Sequence, residues 1–163
     1  MPMANTNQKG RASMKANYPI NRHISTIYRL SQAYFDKKLK PYGIGCGQQF
    51  FLLRIHEHPG ISVLELAQSG HYDNGTATRA IQKLEQQGYV RCEQGSLDKR
   101  VRRIYATEAA LPVIEKTREI TAIWRGKLTD GFSDEEREQA LALLERMSQN
   151  ARAFVRQGDG DPT

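Results

Sequence analysis

Glycine and proline cut the middle of this chain into segments too short for anything but small helices and a hairpin. Pro41 is followed by Gly43-Ile44-Gly45-Cys46-Gly47, then by Pro59-Gly60, Gly70, Gly88 and Gly95. A helix tolerates such residues mainly at its ends, because proline lacks the amide hydrogen and glycine costs backbone entropy. The stretches between these breaks are therefore separate elements. From Pro19 to Pro41, and again from Thr107 onward, there is room for long helices.

The spacing of apolar residues assigns each segment. Ile20, Ile24, Ile27, Leu30, Tyr34, Phe35 and Leu39 recur at steps of three and four, predicting a first helix that Pro41 ends. Lys37, Lys38 and Lys40 suit the negative end of its dipole. A second apolar helix is expected from Gln48 to about Glu57, with Phe50, Phe51, Leu53 and Ile55 inside, stopped by Pro59-Gly60. Ser62-Val63-Leu64-Glu65 has the capping-box form, so a short third helix should run to Ser69 and be closed by Gly70. Asp73 is a good N-cap for a fourth helix ending at Gln87, with Gly88 just past its end. Two helices joined by a short glycine-containing turn form the helix-turn-helix pattern.

Beyond Gly88, Tyr89 to Glu93 reads as a strand, Gln94 to Asp98 as a turn, and Val101 to Ala106 as the returning strand. Thr107 can cap a long helix holding Val113, Ile114, Ile120, Ile123, Trp124 and Leu128, with Pro112 tolerable only near its first turn. Ser133-Asp134-Glu135-Glu136 is a second capping box and opens a final helix through Leu141, Leu143, Leu144, Met147, Phe154 and Val155. The predicted fold class is mostly α with a small β-hairpin wing.

Charge follows this division. The chain has 163 residues and a net charge of +6. Residues 1–17 carry Lys9, Arg11 and Lys15 without an acid, lack periodicity, and are expected to form a disordered basic tail. Residues 79–105 hold Arg79, Lys83, Arg91, Lys99, Arg100, Arg102 and Arg103 against Glu85, Glu93 and Asp98, whereas residues 106–163 are net acidic. A basic middle before an acidic helical end suits one surface for polyanions and another for protein or water; ordinary surface charge would look the same. No apolar run approaches the ~18 residues of a membrane span. The opening residues have no apolar core, so a cytoplasmic chain without a membrane partner is expected. Cys46 and Cys92 supply neither a disulfide framework nor a paired zinc spacing.

The fourth helix carries two stripes. Ala77, Ala80, Ile81 and Leu84 fall at i, i+3, i+4 and i+7, a face that packs. Thr76, Arg79, Lys83 and Gln86 fall on another face with no acid among them. A helix entering the major groove needs small polar groups near its start and bases further along. A plain solvated face would also read this way. The hairpin that follows has Asp98-Lys99-Arg100 at its tip, and consecutive cations there can place an arginine in a narrow A·T-rich minor groove.

Three stretches together resemble the multiple-antibiotic-resistance regulator (MarR) family. They are His58-Pro59-Gly60-Ile61-Ser62 with Leu66-Ala67, the run Asp73 to Val90, and Asp98-Lys99-Arg100-Val101 with Arg103. The resemblance spans about Tyr18 to Phe154. It implies a winged helix-turn-helix over residues 44–106 and a helical dimerisation region from residues 18–43 and 107–157. It further implies a homodimer, triangular in outline, on a pseudo-palindromic site in double-stranded DNA, acting as a repressor that a small-molecule effector releases. By motif position Thr76 and Arg79 would meet bases, with Asn74, Gly75 and Thr78 near the backbone and Lys83 on the same face. Arg100 would enter the minor groove beside Lys99, while Asp98 and Arg103 hold the wing in shape and Ser62 binds phosphate. Asn74 stands where many relatives have lysine. Independently, the first and last helices are too apolar to stay exposed beside a winged core of this size. Two-fold symmetry would set two reading heads about one helical turn, ~34 Å, apart.

The signal is less legible. An effector cleft lined by His23, Ile27, Tyr34, Phe50 and Arg54, taking a phenol or an aromatic carboxylate, follows from the family; aromatic residues at this spacing also make plain core. Cys46, between two glycines at a helix start where a thiolate is favoured, offers a redox-sensing alternative. His56 and His58 lie two apart on a helix and point apart, so no metal site is expected. No nucleophile with its base, carboxylate pair or phosphate-cradling loop is present, so no enzyme activity and no cofactor are expected. A helical dimer that binds protein and not DNA is the remaining alternative.

Overall fold

The computed structural model describes residues 19–95 and 101–156. The expected tail at 1–17, the wing-tip residues Asp98, Lys99 and Arg100, and Gln157 lie outside the described residues. The order of elements is α1 (Ile20–Leu39), α2 (Cys46–Glu57), β1 (Ile61–Ser62), α3 (Val63–Gly70), α4 (Asn74–Gln86), β2 (Val90–Gln94), β3 (Arg102–Ala106), α5 (Leu111–Leu128) and α6 (Asp134–Arg156). The fold is mostly helical with one small antiparallel sheet, in strand order β1-β3-β2.

The chain divides at Thr117 into two compact units. In the first, the core forms where α2, α3, α4 and β3 meet. Phe51, Leu52 and Ile55 of α2, Leu66 and Ala67 of α3, and Ile104 of β3 are buried there. The predicted packing face of α4 is buried throughout, at Ala77, Ala80, Ile81 and Leu84. A helix that buries this whole stripe must turn the opposite one to water. In the second unit, Ser133 opens α6 as the capping box predicts: its amide donates to Glu136 Oε2 at 2.8 Å and its Oγ accepts from the Glu136 amide at 3.2 Å.

Several boundaries differ from the sequence reading. The second helix begins at Cys46, two residues before Gln48, because Asp36 Oδ1 accepts from the Cys46 amide at 2.7 Å and supplies a cap from another helix. The buried side chain is Leu52, with Leu53 only half-buried. Pro41 lies inside a 3-10 turn, Lys40–Tyr42, that extends the end of α1. Thr107 precedes a 3-10 turn, Glu108–Ala110, and its Oγ1 donates to Gly88 O at 2.6 Å. Pro112 then falls in the first turn of α5.

Gly70 does not close α3. It is the last helical residue, and His71 takes the left-handed conformation with φ 57°. Glycine is needed at 70 for another reason: a Cβ there would stand 2.4 Å from Phe50 Cε1 and 2.7 Å from Tyr72 Cδ2. The strand β1 was not expected. It has two residues, too few for an alternation to show, and pairs Ile61 with Ile104 and Ser62 with Arg103. The hairpin registers Val90 with Ala106 and Cys92 with Ile104, and the Gly95 amide donates to Val101 O at 2.8 Å to close its base.

Candidate nucleic-acid interface

Asp73 starts α4 by accepting the Thr76 amide on Oδ1 at 2.8 Å. Its other oxygen, Oδ2, accepts the Thr76 hydroxyl at 2.7 Å. Thr76 Oγ1 in turn accepts from Arg79 Nη2 at 3.1 Å. These bonds from the Thr76 hydroxyl and amide, helped by the charge of Arg79, hold the Asp73 carboxyl below the usual carboxylate range. Asn74, Gly75, Thr78, Arg79 and Lys83 are exposed and Thr76 is half-buried. Thr78 spends its hydroxyl hydrogen on Asn74 O, at 2.7 Å. The exposed face of α4 thus carries small polar groups and Arg79 beside a bare backbone at Gly75, with Lys83 following in the last turn.

At the start of α3 the geometry differs from a free phosphate site. Ser62 Oγ donates to Glu65 Oε2 at 2.7 Å, and the Ser62 amide donates to the same oxygen at 2.8 Å. Arg103 Nη1 reaches that carboxylate at 3.2 Å and also donates to Gly60 O at 3.1 Å. The serine bonds, with a smaller contribution from Arg103, keep the Glu65 carboxyl below its ordinary range. Ser62 thus gives both its hydroxyl hydrogen and its amide hydrogen to the chain's own carboxylate. Arg103 ties β3 to the loop before α3. Glu65 went unassigned in the sequence, although the Ser62–Glu65 capping box marked it.

The hairpin adds further cations, each with a partner. Arg102 Nη2 stands 3.4 Å from Glu85 Oε1, and Arg91 pairs with Glu93 and lies 4.6 Å over the Tyr105 ring.

The five residues read as a small-molecule cleft occupy different settings. His23 and Ile27 are exposed on α1. Tyr34 packs edge-on to Phe35 at 5.5 Å, and Phe50 joins Phe51 and Tyr72 in a ring cluster with centroids 4.9–5.4 Å apart. Arg54 lines a cleft of about 380 Å³ with His58, Pro59, Gly60, Ile61, Glu65, Ser69 and Arg103, and none of the other four does. Burial pushes the Cys46 thiol up, as does the nearby Asp36 carboxylate, against a bond from Gln49 Nε2. Asp36 already occupies the start of α2, so that helix end does not favour a thiolate. Among the described residues no three His, Cys, Asp or Glu side chains gather as metal ligands.

A family model for MarR matches residues 47–101, the stretch that runs from α2 through α3, α4 and β2 and stops just before β3. The chain is 33 % identical over 131 residues to the HTH-type transcriptional regulator YybA of Bacillus subtilis, covering 80 % of this chain and 87 % of that protein. The chain belongs to the MarR family. A MarR transcriptional regulator from Methanosarcina mazei has the same fold at TM-score 0.74 and 36 % identity, over 83 % of this chain and 97 % of that one. The S. aureus MepR–DNA complex shares the fold alone, at TM-score 0.77 and 20 % identity, over 82 % of this chain and 99 % of that one. As a MarR-family member the chain is a helix-turn-helix transcriptional regulator and not an enzyme.

Proposed function

We propose that this MarR-family regulator binds a pseudo-palindromic operator in double-stranded DNA as a homodimer, in the cytoplasm, and represses by occupying a promoter until a small effector releases it. The observation that carries the reading is the division of α4: one face fully buried, the other presenting Arg79, Lys83, Thr76 and Asn74. A helix held this way by its apolar face is what a reading head requires, since only a rigid mount fixes which side chains meet base edges. MepR, which shares the fold, is known in complex with DNA, and this supports the same use of the surface here.

In this reading Thr76 and Arg79 face bases, and Gly75, Asn74, Thr78 and Lys83 approach the backbone. Lys99 and Arg100 of the hairpin reach the minor groove, with Asp98 bracing them and Arg103 anchoring the strand behind them. The reading head covers residues 44–106. Residues 18–43 and 107–157 supply the dimer contacts, which the exposed Ile20, Ile24 and Ile27 of α1 and Leu141, Leu144 and Val155 of α6 support. The effector is a phenol or an aromatic carboxylate by family analogy.

Selection of bound sequences from random duplex DNA, at near-physiological salt with the purified full chain, tests this. An inverted repeat with half-sites about one helical turn apart is the expected result. A folded, dimeric protein that enriches no sequence would overturn it and favour a dimer that binds protein.

A further inference from the structure

We propose that Asp73 and Thr76 form a relay that fixes Arg79 for reading a guanine, so that one base pair of each half-site is specified through Asp73, a positioning residue. This rests on the DNA-binding reading above. The chain of contacts runs in one direction. Asp73 Oδ2 accepts the Thr76 hydroxyl hydrogen at 2.7 Å, so the free electron pairs of that oxygen are left to accept from Arg79 Nη2 at 3.1 Å. The hydroxyl cannot swing away, because Asp73 is itself pinned by the Thr76 amide at 2.8 Å.

Space for this arrangement comes from Gly75. A Cβ there would lie 3.1 Å from Asp73 Oδ1 and 3.5 Å from Arg79 Nη1, so the guanidinium lies across the first turn of α4 and over bare backbone. One of its N–H groups is spent on Thr76, and the others remain for a ligand. A guanidinium fork held still suits the paired acceptors O6 and N7 of guanine. Adenine presents an acceptor beside a donor, and the donor would face an N–H. An arginine left free would lose rotamer freedom on docking and could bend towards a phosphate, which carries no sequence information.

An N-cap alone would also explain Asp73, and the variants separate the two roles. Asn caps a helix about as well as Asp. In Asp73→Asn the amide oxygen keeps the Thr76 N–H, but the amide nitrogen now donates to the hydroxyl and turns the hydroxyl hydrogen towards Arg79. Thr76→Val removes the hydroxyl and keeps the side-chain shape and the cap.

The test is sequence selection from random duplexes with the full-length protein and each variant, alongside thermal melting. We expect the wild type to prefer G·C at one half-site position, and Arg79→Ala to abolish that preference. Asp73→Asn should lower it by about tenfold, the scale of one bidentate base contact, with the other positions kept, and Thr76→Val should lower it as far while also altering any position that Thr76 itself touches. Thr76→Ser, which restores the hydroxyl, should regain it. A motif unchanged in Asp73→Asn and Thr76→Val overturns the relay alone, and so does an even loss at all positions. A wild-type protein with no motif overturns the DNA-binding reading and the relay with it.

Discussion

At Gly70 the absence of one methyl group lets the α3–α4 turn close. Phe50 and Tyr72 approach the Gly70 backbone so closely that a Cβ would stand within 2.4 Å of one ring and 2.7 Å of the other. Both rings belong to one cluster with Phe51, whose side chain is buried in the core, so Phe50 cannot retreat without disturbing α2, although Tyr72 is 43 % exposed. Gly70→Ala should therefore destabilise the protein by about 1–3 kcal/mol, the usual cost of overpacking, as read by denaturant titration. An unchanged midpoint would mean that the rings move freely. Position 70 also shows how far single residues were legible. A glycine at a helix end suggests a left-handed cap, and here that conformation belongs to His71, at φ 57°. The use of Gly70 as a gap depends on Phe50, twenty positions earlier, and no local pattern encodes it. Phe50 itself looked like a candidate for a cleft for the same reason: spacing shows that an aromatic side chain faces inward, not what it meets.

Helix starts with a side-chain cap were the most legible elements, because such a cap is written within four residues. Ser62, Asp73 and Ser133 all cap as their motifs predict. Strand β1 was not legible, since its bonds are completed by a partner far along the chain, Ile104 for Ile61, and the 3-10 turns are single local turns too short to show a periodicity. The interface followed the same rule. The exposed stripe of α4 and the Ser62–Glu65 box could be read from spacing, whereas the addition of Arg103 to that carboxylate needed the fold to bring β3 alongside. These caps carry a dependence on pH. Hydrogen bonds in the first turns of α3, α4 and α6 hold Glu65, Asp73 and Glu135 below the ordinary carboxylate range. With folded values below unfolded ones, the folded state binds fewer protons, and their contribution is complete above the unfolded values near ~4. It is lost as pH falls through the folded values. Acid titration followed by helical circular dichroism should show a shallower loss in the Glu65→Gln, Asp73→Asn double variant than in the wild type. Equal slopes would place the acid sensitivity elsewhere.

For the whole molecule, the apolar surface sets the terms. Ile24 on α1 is 44 % exposed, and on α6 Leu144 is 54 % and Val155 76 % exposed. A second copy is the occupant the proposed function requires. Leu144→Glu should then shift the protein from dimer to monomer in sedimentation equilibrium and weaken operator binding by at least about tenfold, since two half-sites would no longer be held by one particle. A wild-type monomer at micromolar concentration would sink the dimer. The proposed DNA contacts differ in how they are anchored. Arg79 is mounted on a helix whose far face is core, so altering its position means repacking α4. The hairpin is anchored otherwise: β3 is held between β1 and β2, and the backbone bond from Gly95 to Val101 seals its base. A change of length between those two positions leaves the paired residues of β2 and β3 as they are, since the cost of closing a longer connection rises only slowly with its length. A lineage can therefore lengthen, shorten or recharge this fingertip while inheriting the palm intact, and descendants of one regulator can acquire new genomic addresses without learning to fold again.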